Sequence, residues 1–321
     1  MKRSSFAGIQ SKVHEAADKA SFDFNEKQID SESNRSFVMT LLKSFDELST
    51  SEFDGTGEWA WLQKNKQNKF VNAVLRKDTG LISAFLTNMF RNEATYGYLS
   101  PSFTDALCSP EKVKSDILCN IDTCLEFTDL THLGSLSTEH GNPFGLNVDD
   151  STILSDTPRH YYYSFNIERL LESTVTPYLL EIGGAYGGLC LQNWKRFKGR
   201  PTIVNVDLFP ALVTAYFYLS KHGVPVNVVS PKEPEIKEET VNLLCANDCG
   251  ILSTIVPKCD LIFNSRSLCE MDQETITVYF KYINQCEVKY LYHENSNFLL
   301  FPESERHIEV IGDDFPIDST K

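Results

Sequence analysis

The sequence has no run of about 18 apolar residues, so no transmembrane helix is expected. From Met1 to Asp30 the basic residues at the start are followed by no apolar stretch, and a secretory signal peptide is not expected either. There is no internal repeat and no low-complexity tract. Positive charge is scarce: the net charge of -14 leaves no excess cation to neutralise phosphates, which lowers the expectation of a nucleic-acid partner. The cysteines, nine in number, include no C-x-x-C pair and no histidine at zinc-ligand spacing, so no metal ligand set is expected. An odd, scattered set of thiols reads as reduced and points to a cytoplasmic protein.

What is present fits a folded enzyme. Hydrophobic residues make up 41% and charged residues 23%, enough apolar content to bury a sizeable core. Residues 1–35 read as a polar arm. Residues 36–175 read as a mainly helical region. Phe37, Leu41, Leu42, Phe45 and Leu48 recur at helical spacing; Trp59 and Trp61 open a second helical stretch reaching Leu75; a third runs from Gly80 to Phe90 and a fourth from Glu111 to Phe127. Residues 131–160 read as loop, rich in Gly, Asn, Pro and Asp. A helix then runs from Arg159 to about Glu172.

From residue 176 to 321 the pattern changes to alternating strands and helices. Short apolar runs at 178–182, 202–206, 224–229, 259–263 and 288–292 predict buried parallel strands, separated by helical stretches at 188–197, 210–222, 238–256 and 272–286. This alternation predicts an α/β, Rossmann-like doubly wound sheet. Residues 298–301 and 307–311 read as an antiparallel edge hairpin.

The first of these strands runs straight into Glu181-Ile182-Gly183-Gly184-Ala185-Tyr186-Gly187-Gly188. Glycine lets the chain turn sharply and approach a ligand closely. The helix that follows offers unpaired N–H groups at its start. Two ligand classes fit. The dinucleotide pattern G-x-G-x-x-G is met with Ala185 at its middle position. The S-adenosylmethionine pattern, an acid followed by G-x-G-x-G, is met with the same replacement. Asp207, at the end of the second strand, suits the ribose hydroxyls of either. Glu181 favours S-adenosylmethionine, because an acid there opposes a pyrophosphate but can hold a cationic methionyl end.

Further stretches carry a family resemblance. Trp59-Ala60-Trp61, Met89-Phe90-Arg91-Asn92, Thr95-Tyr96-Gly97, Gly141-Asn142-Pro143-Phe144-Gly145, Glu181 to Gly188, Asp207, Asn264 to Met271 and Tyr290 to Asn295 together resemble the bacterial sugar O-methyltransferases, members of the Rossmann-like class I methyltransferases. The resemblance covers most of the chain from Trp59 onward. It departs from the family at Ala185 and in the short segment after Asn295.

The resemblance implies transfer of a methyl group from S-adenosylmethionine to a sugar or glycan hydroxyl. Glu181, Gly183, Gly184, Ala185 and Gly187 would surround the methionine part and Asp207 the ribose, with Asn264 and Ser265 near the sulfonium. His293, Glu270 and His140 are candidates for the base that takes the hydroxyl proton. Asn142, Arg159, Tyr162 and Arg266 are candidates for binding the acceptor, the arginines through acidic groups. Two other readings stay open: an NAD-dependent oxidoreductase or epimerase, and a non-catalytic protein that keeps the fold. Neither the sugar nor the oligomeric state leaves a signature in the sequence.

Overall fold

The structure, a computed structural model, describes residues 14–15, 17–46, 55–128, 136–148, 151–295 and 315–317. The expected hairpin at 298–301 and 307–311, and Leu48, lie outside the described residues.

The C-terminal half forms the Rossmann-like sheet. Its strands are β5 (Tyr178–Ile182), β6 (Thr202–Asp207), β7 (Val226–Val228), β8 (Val241–Cys245), β9 (Lys258–Ser265) and β10 (Glu287–Glu294), set side by side in the order β10-β9-β5-β6-β8-β7. Every pairing among them is parallel. Helices α8 (Gly188–Arg196), α9 (Phe209–Lys221) and α11 (Gln273–Gln285) supply crossovers. Helix α9 starts with Pro210 in its first turn and ends in a Schellman turn: Gly223 at φ 74° lets Val224 N–H donate to Leu219 O at 3.0 Å and Gly223 N–H to Ser220 O at 3.0 Å.

Alternation along the strands sorts side chains to two faces. Leu180, Ile182, Val204, Val206 and Ile262 pack with Ile276, Phe280 and Ile283 of α11. Leu179, Ile203, Leu261 and Phe263 join a second core shared with the N-terminal region. That region contributes α1 (Glu32–Ser44), α2 (Glu58–Asn65), α3 (Asn68–Leu75), α4 (Thr79–Thr87), α5 (Phe103–Cys108), α6 (Pro110–Phe127) and α7 (Thr157–Leu170). Its aromatic side chains lock onto α9, with Phe37 against Phe217 at 5.8 Å and Phe45 against Phe209 at 5.2 Å. A mainly helical N-terminal region on a Rossmann-like sheet is thus what the sequence pattern indicated.

Three local expectations need correcting. The stretch 238–256 is not one helix. It holds β8, a 3-10 turn at Ala246–Ile251 and the short α10 (Leu252–Ile255). Val241 to Cys245 are buried between β6 and β7, and burial on both faces makes an apolar run a strand where periodicity alone cannot choose. The stretch 131–160 is not all loop: β2 (Ser137–Thr138), β3 (Gly145–Val148) and β4 (Ser151–Ile153) join β1 (Ser21–Asp23) in a four-stranded antiparallel sheet of order β1-β3-β4-β2. Strands β3 and β4 pair as sequence neighbours, with Val148 opposite Ser151, whereas β1 reaches β3 from far away, with Phe22 opposite Leu146. The stretch 59–75 divides into α2 and α3 at Lys66 and Gln67, whose N–H groups both donate to Leu62 O.

Candidate functional site

The order of the sheet reverses at β5: the chain first adds β6, β8 and β7 on one side, then β9 and β10 on the other. Open α/β sheets bind ligands in the crevice above the carboxyl ends of the strands at such a switch point. Here the loops after β5 and β9 meet, and two adjoining cavities open where they do. One, of about 370 Å³, is bordered by Arg159, His160, Tyr163, Glu181, Ser265, Arg266 and Glu270. The other, of about 320 Å³, is bordered by Asp207, Leu208, Ala246, Asn247, Met271, Val278 and Tyr279. Trp59, Tyr98, Gly183, Ala185 and Ser267 line both. We call them the Arg159 chamber and the Asp207 chamber.

The loop between them is tightly determined. Gly183, at φ 75°, passes so close to the β9 loop that a β-carbon there would lie 2.0 Å from Ser267 Oγ. One at Gly184 would lie 2.5 Å from Asn205 Oδ1 of β6. Ala185 adopts the left-handed φ of 49°, at a cost of roughly 1–2 kcal/mol for an L-residue. Its N–H donates to Asp207 Oδ2 at 2.6 Å, which offsets that cost and ties the loop to β6.

Asp207 also accepts from Leu208 N–H at 2.6 Å through Oδ1. Burial pushes its carboxyl up to about 6 in spite of these two bonds. Glu181 is more deeply enclosed. It accepts the Cys190 thiol at 3.1 Å, and burial, with a smaller contribution from the charge of Asp207, raises it to about 7. Glu270 accepts Trp59 Nε1–H at 2.6 Å. Trp59 reaches it because Gly57, at φ 57°, packs against the Glu270 backbone, where a β-carbon would lie 2.2 Å from the carbonyl oxygen. The N-terminal region therefore closes the crevice over both chambers.

The start of α8 packs tightly against α7 and the glycine loop. A β-carbon at Gly188 would lie 2.5 Å from His160 Nδ1 and 2.8 Å from the Tyr186 hydroxyl. Two further loop N–H groups are in use: Gly183 N–H donates to Val206 O at 2.8 Å and Gly187 N–H to Gly184 O at 2.9 Å.

The chain matches no protein-family model, and no curated protein matches it. Solved structures with overlapping folds include a protein of Galdieria sulphuraria described as a sarcosine dimethylglycine methyltransferase, at 12% identity and a TM-score of 0.32 over 44% of this chain and 47% of that one. Coclaurine N-methyltransferase bound to N-methylheliamine and SAH aligns at 12% identity and TM-score 0.32 over 82% of this chain and 64% of its own. Human N-acetylserotonin methyltransferase in complex with SAM aligns at 12% identity and TM-score 0.27 over 88% and 72%. The chain thus spans about half the length of the first of these. Similarity at this level leaves the chemistry to be argued from the site itself.

Of the residues singled out in the sequence, Glu181, Gly183, Gly184, Ala185, Arg159, Ser265, Arg266 and Glu270 line the Arg159 chamber, and Asp207 lines its neighbour. Six others do not line either chamber. Gly187 caps α8 at φ 83°, beneath Leu219. Asn264 is fully buried and ties the two loops, donating to Ile182 O at 2.9 Å and accepting from Asn295 at 2.9 Å. His293 pairs in register with Asn264 and so points to the other face of the sheet from Tyr292, with its ring 5.5 Å from Phe315. His140 packs on His222 at 4.9 Å, against the end of α9. Asn142 holds the chain together: its side chain donates to Lys27 O and Asn88, while Arg91 donates to Asn142 O and Pro143 O. Tyr162 packs on Phe127, because on α7 it lies away from the face shared by Arg159 and Tyr163.

Sequence reasoning passed over Trp59, Tyr98, His160 and Ser267. His160 carried a signal, since it follows Arg159 in the first turn of a helix. Burial, reinforced by the charges of Arg159 and Arg266, pushes its imidazole down to about 3 and keeps it neutral. Among the described residues no group of three or more His, Cys, Asp or Glu could hold a metal ion, and no helix is long and apolar enough to cross a membrane.

Proposed function

We propose that this chain is an S-adenosylmethionine-dependent O-methyltransferase acting on a sugar hydroxyl, free, nucleotide-linked or within a polysaccharide. Residues 176–321 would bind the cofactor and residues 36–175 would close over it. The observation that carries this reading is the pair of chambers meeting at Gly183 and Ala185, one bordered by Asp207 and the other by Glu181. A dinucleotide needs the start of the helix after the glycine loop for its pyrophosphate. Here His160 and Tyr186 crowd Gly188, and the acids Glu181 and Asp207 flank the loop, which opposes a pyrophosphate.

The residues present fit the group. Flat apolar surfaces from Leu208, Ala246, Met271 and Tyr279 suit an adenine ring, and Asp207 retains lone pairs for ribose hydroxyls. Glu181 would hold the cationic methionyl end. When bound, S-adenosylmethionine supplies a methyl group on a sulfonium that needs no further activation. The chain must then hold the acceptor in line, exclude water and take a proton. Trp59 and Tyr98, with ring centroids 5.1 Å apart and planes tilted by 31°, shut the crevice from the N-terminal side. Of the three candidate bases, Glu270 is the one that lines the chamber, and we assign it the proton from the acceptor hydroxyl.

Calorimetric titration with S-adenosylmethionine tests the cofactor. Binding is expected, with a loss of tenfold or more in Asp207→Ala, roughly the value of a charge-assisted hydrogen bond. No binding, or equal affinity in the variant, would sink the proposal. Energy transfer from tryptophan to bound NADH would support the dinucleotide reading instead. Transfer of a labelled methyl group to a sugar acceptor separates an enzyme from a non-catalytic relative of the fold.

A further inference from the structure

In the Arg159 chamber the carboxylates accept hydrogen bonds, while the guanidiniums keep donors unused. Asp105 accepts from Ser102 N–H at 2.9 Å and from its hydroxyl at 2.7 Å. Glu270 accepts from Trp59, and Glu181 from Cys190. Arg159 gives one terminal nitrogen to Asp156 at 3.0 Å, and its buried Nε–H has no acceptor among the described residues. Arg266 enters the chamber from the loop after β9, held at φ 67° by its N–H bond to Glu294 O at 2.7 Å. Its guanidinium forms no ion pair among the described residues. Both cations act on the same neighbours, since each lowers the proton affinity of His160 and of Asp156.

An enclosed guanidinium with an unused donor is costly, and the complementary partner is an oxyanion that accepts from its fork. We propose that the Arg159 chamber takes an acceptor bearing an anionic group, a carboxylate or a phosphate, with Arg159 Nε–H and the Arg266 guanidinium as its donors and His160 beside them. This rests on the reading of that chamber as the acceptor side of a methyltransferase.

The anion has a consequence at His160. The groups facing the imidazole are Arg159 on its own helix, Arg266 from the β9 loop and the Tyr186 ring at 5.9 Å from the glycine loop. An anion on the two arginines cancels the repulsion that disfavours the imidazolium, and the imidazole regains proton affinity.

The experiment follows the His160 ring resonance by NMR in the full chain, assigned with His160→Gln among the seven histidines. The probes are inorganic phosphate, D-glucuronate and neutral D-glucose. Phosphate or glucuronate is expected to raise the His160 titration midpoint by about one pH unit, a tenfold gain in proton affinity, while glucose leaves it in place. A response to phosphate alone assigns a phosphorylated acceptor, and a response to glucuronate alone a uronic-acid type. Arg266→Gln should abolish the response and Arg266→Lys should keep part of it, and both should show the parent's far-ultraviolet circular dichroism and urea unfolding transition, which shows that they fold. An unmoved midpoint with both anions, or an undiminished response in Arg266→Gln, overturns the proposal. If the anions act but S-adenosylmethionine does not bind, the anion site stands and the methyl-donor reading falls.

Discussion

Glu181→Gln separates what the site costs the fold from what it gives the ligand. The Glu181 carboxyl lies 6% exposed at the end of a central strand, and burial lifts it from 4.5 to about 7. Holding it ionised therefore costs about 3 kcal/mol relative to the unfolded chain. The sign follows from proton binding. Between pH 4.5 and 7 the folded chain keeps a proton that the unfolded chain has lost, so stability falls as pH rises through that window and levels off above it. Glutamine has nearly the same shape, can still accept from Cys190 and has no charge to desolvate. The variant should match the parent near pH 4 and exceed it by about 3 kcal/mol at pH 8. For a chain of 321 residues that is roughly 4 °C in Tm, at ~2.1 cal/mol/K of unfolding entropy per residue. The same variant should bind S-adenosylmethionine at least about tenfold more weakly at pH 8, because the ionised carboxylate is what the cationic end requires. Parent affinity should rise with pH up to about 7, with a proton released on binding, and variant affinity should stay flat. Urea melts across the pH range and calorimetry in buffers of different ionisation enthalpy measure both. A variant less stable than the parent at pH 8, or a parent affinity indifferent to pH, would refute the reasoning.

Two further substitutions probe the neighbouring groups. Gly184→Ala would drive a β-carbon to 2.5 Å from Asn205 Oδ1, which is fully buried, and should destabilise the chain by about 1–3 kcal/mol in urea while also weakening cofactor binding. Trp59→Phe removes the indole N–H from buried Glu270 and should cost about 1–3 kcal/mol. Since Trp59 borders both chambers, ligand-dependent quenching of fluorescence should be lost in that variant although Trp61 and Trp194 remain.

The glycine loop, the acid before it and Asp207 could be read directly because each belongs to a local pattern: a strand, a turn needing positive φ, and a helix. The strands at 178–182 and 202–206 were legible for the same reason, as apolar runs bounded by turn residues. Val241 to Cys245 was not, because the five residues VNLLC suit a helix or a strand until β6 and β7 enclose them. His293 and His140 were chosen for their chemistry. Their placement depended on which sheet face the alternation assigned and on which helix end a distant loop met. Asn142 lies in a loop whose composition resembles a binding turn, and its partners Lys27, Asn88 and Arg91 are all far off in sequence.

The sequence by itself determined the change to alternating strands and helices after residue 176, the glycine loop and the acids at the ends of β5 and β6, since backbone preference and hydrophobic period act over a few residues. Tertiary structure alone decided that Trp59 and Tyr98 cover the crevice, that His160 packs against Gly188, and that Arg159 and Arg266 share one chamber. Those facts come from the strand order, which brings the loops after β5 and β9 together at the switch point, and from the docking of the N-terminal helices over them. Contacts of that kind join residues from about thirty to about two hundred positions apart, and no local pattern in the chain records them.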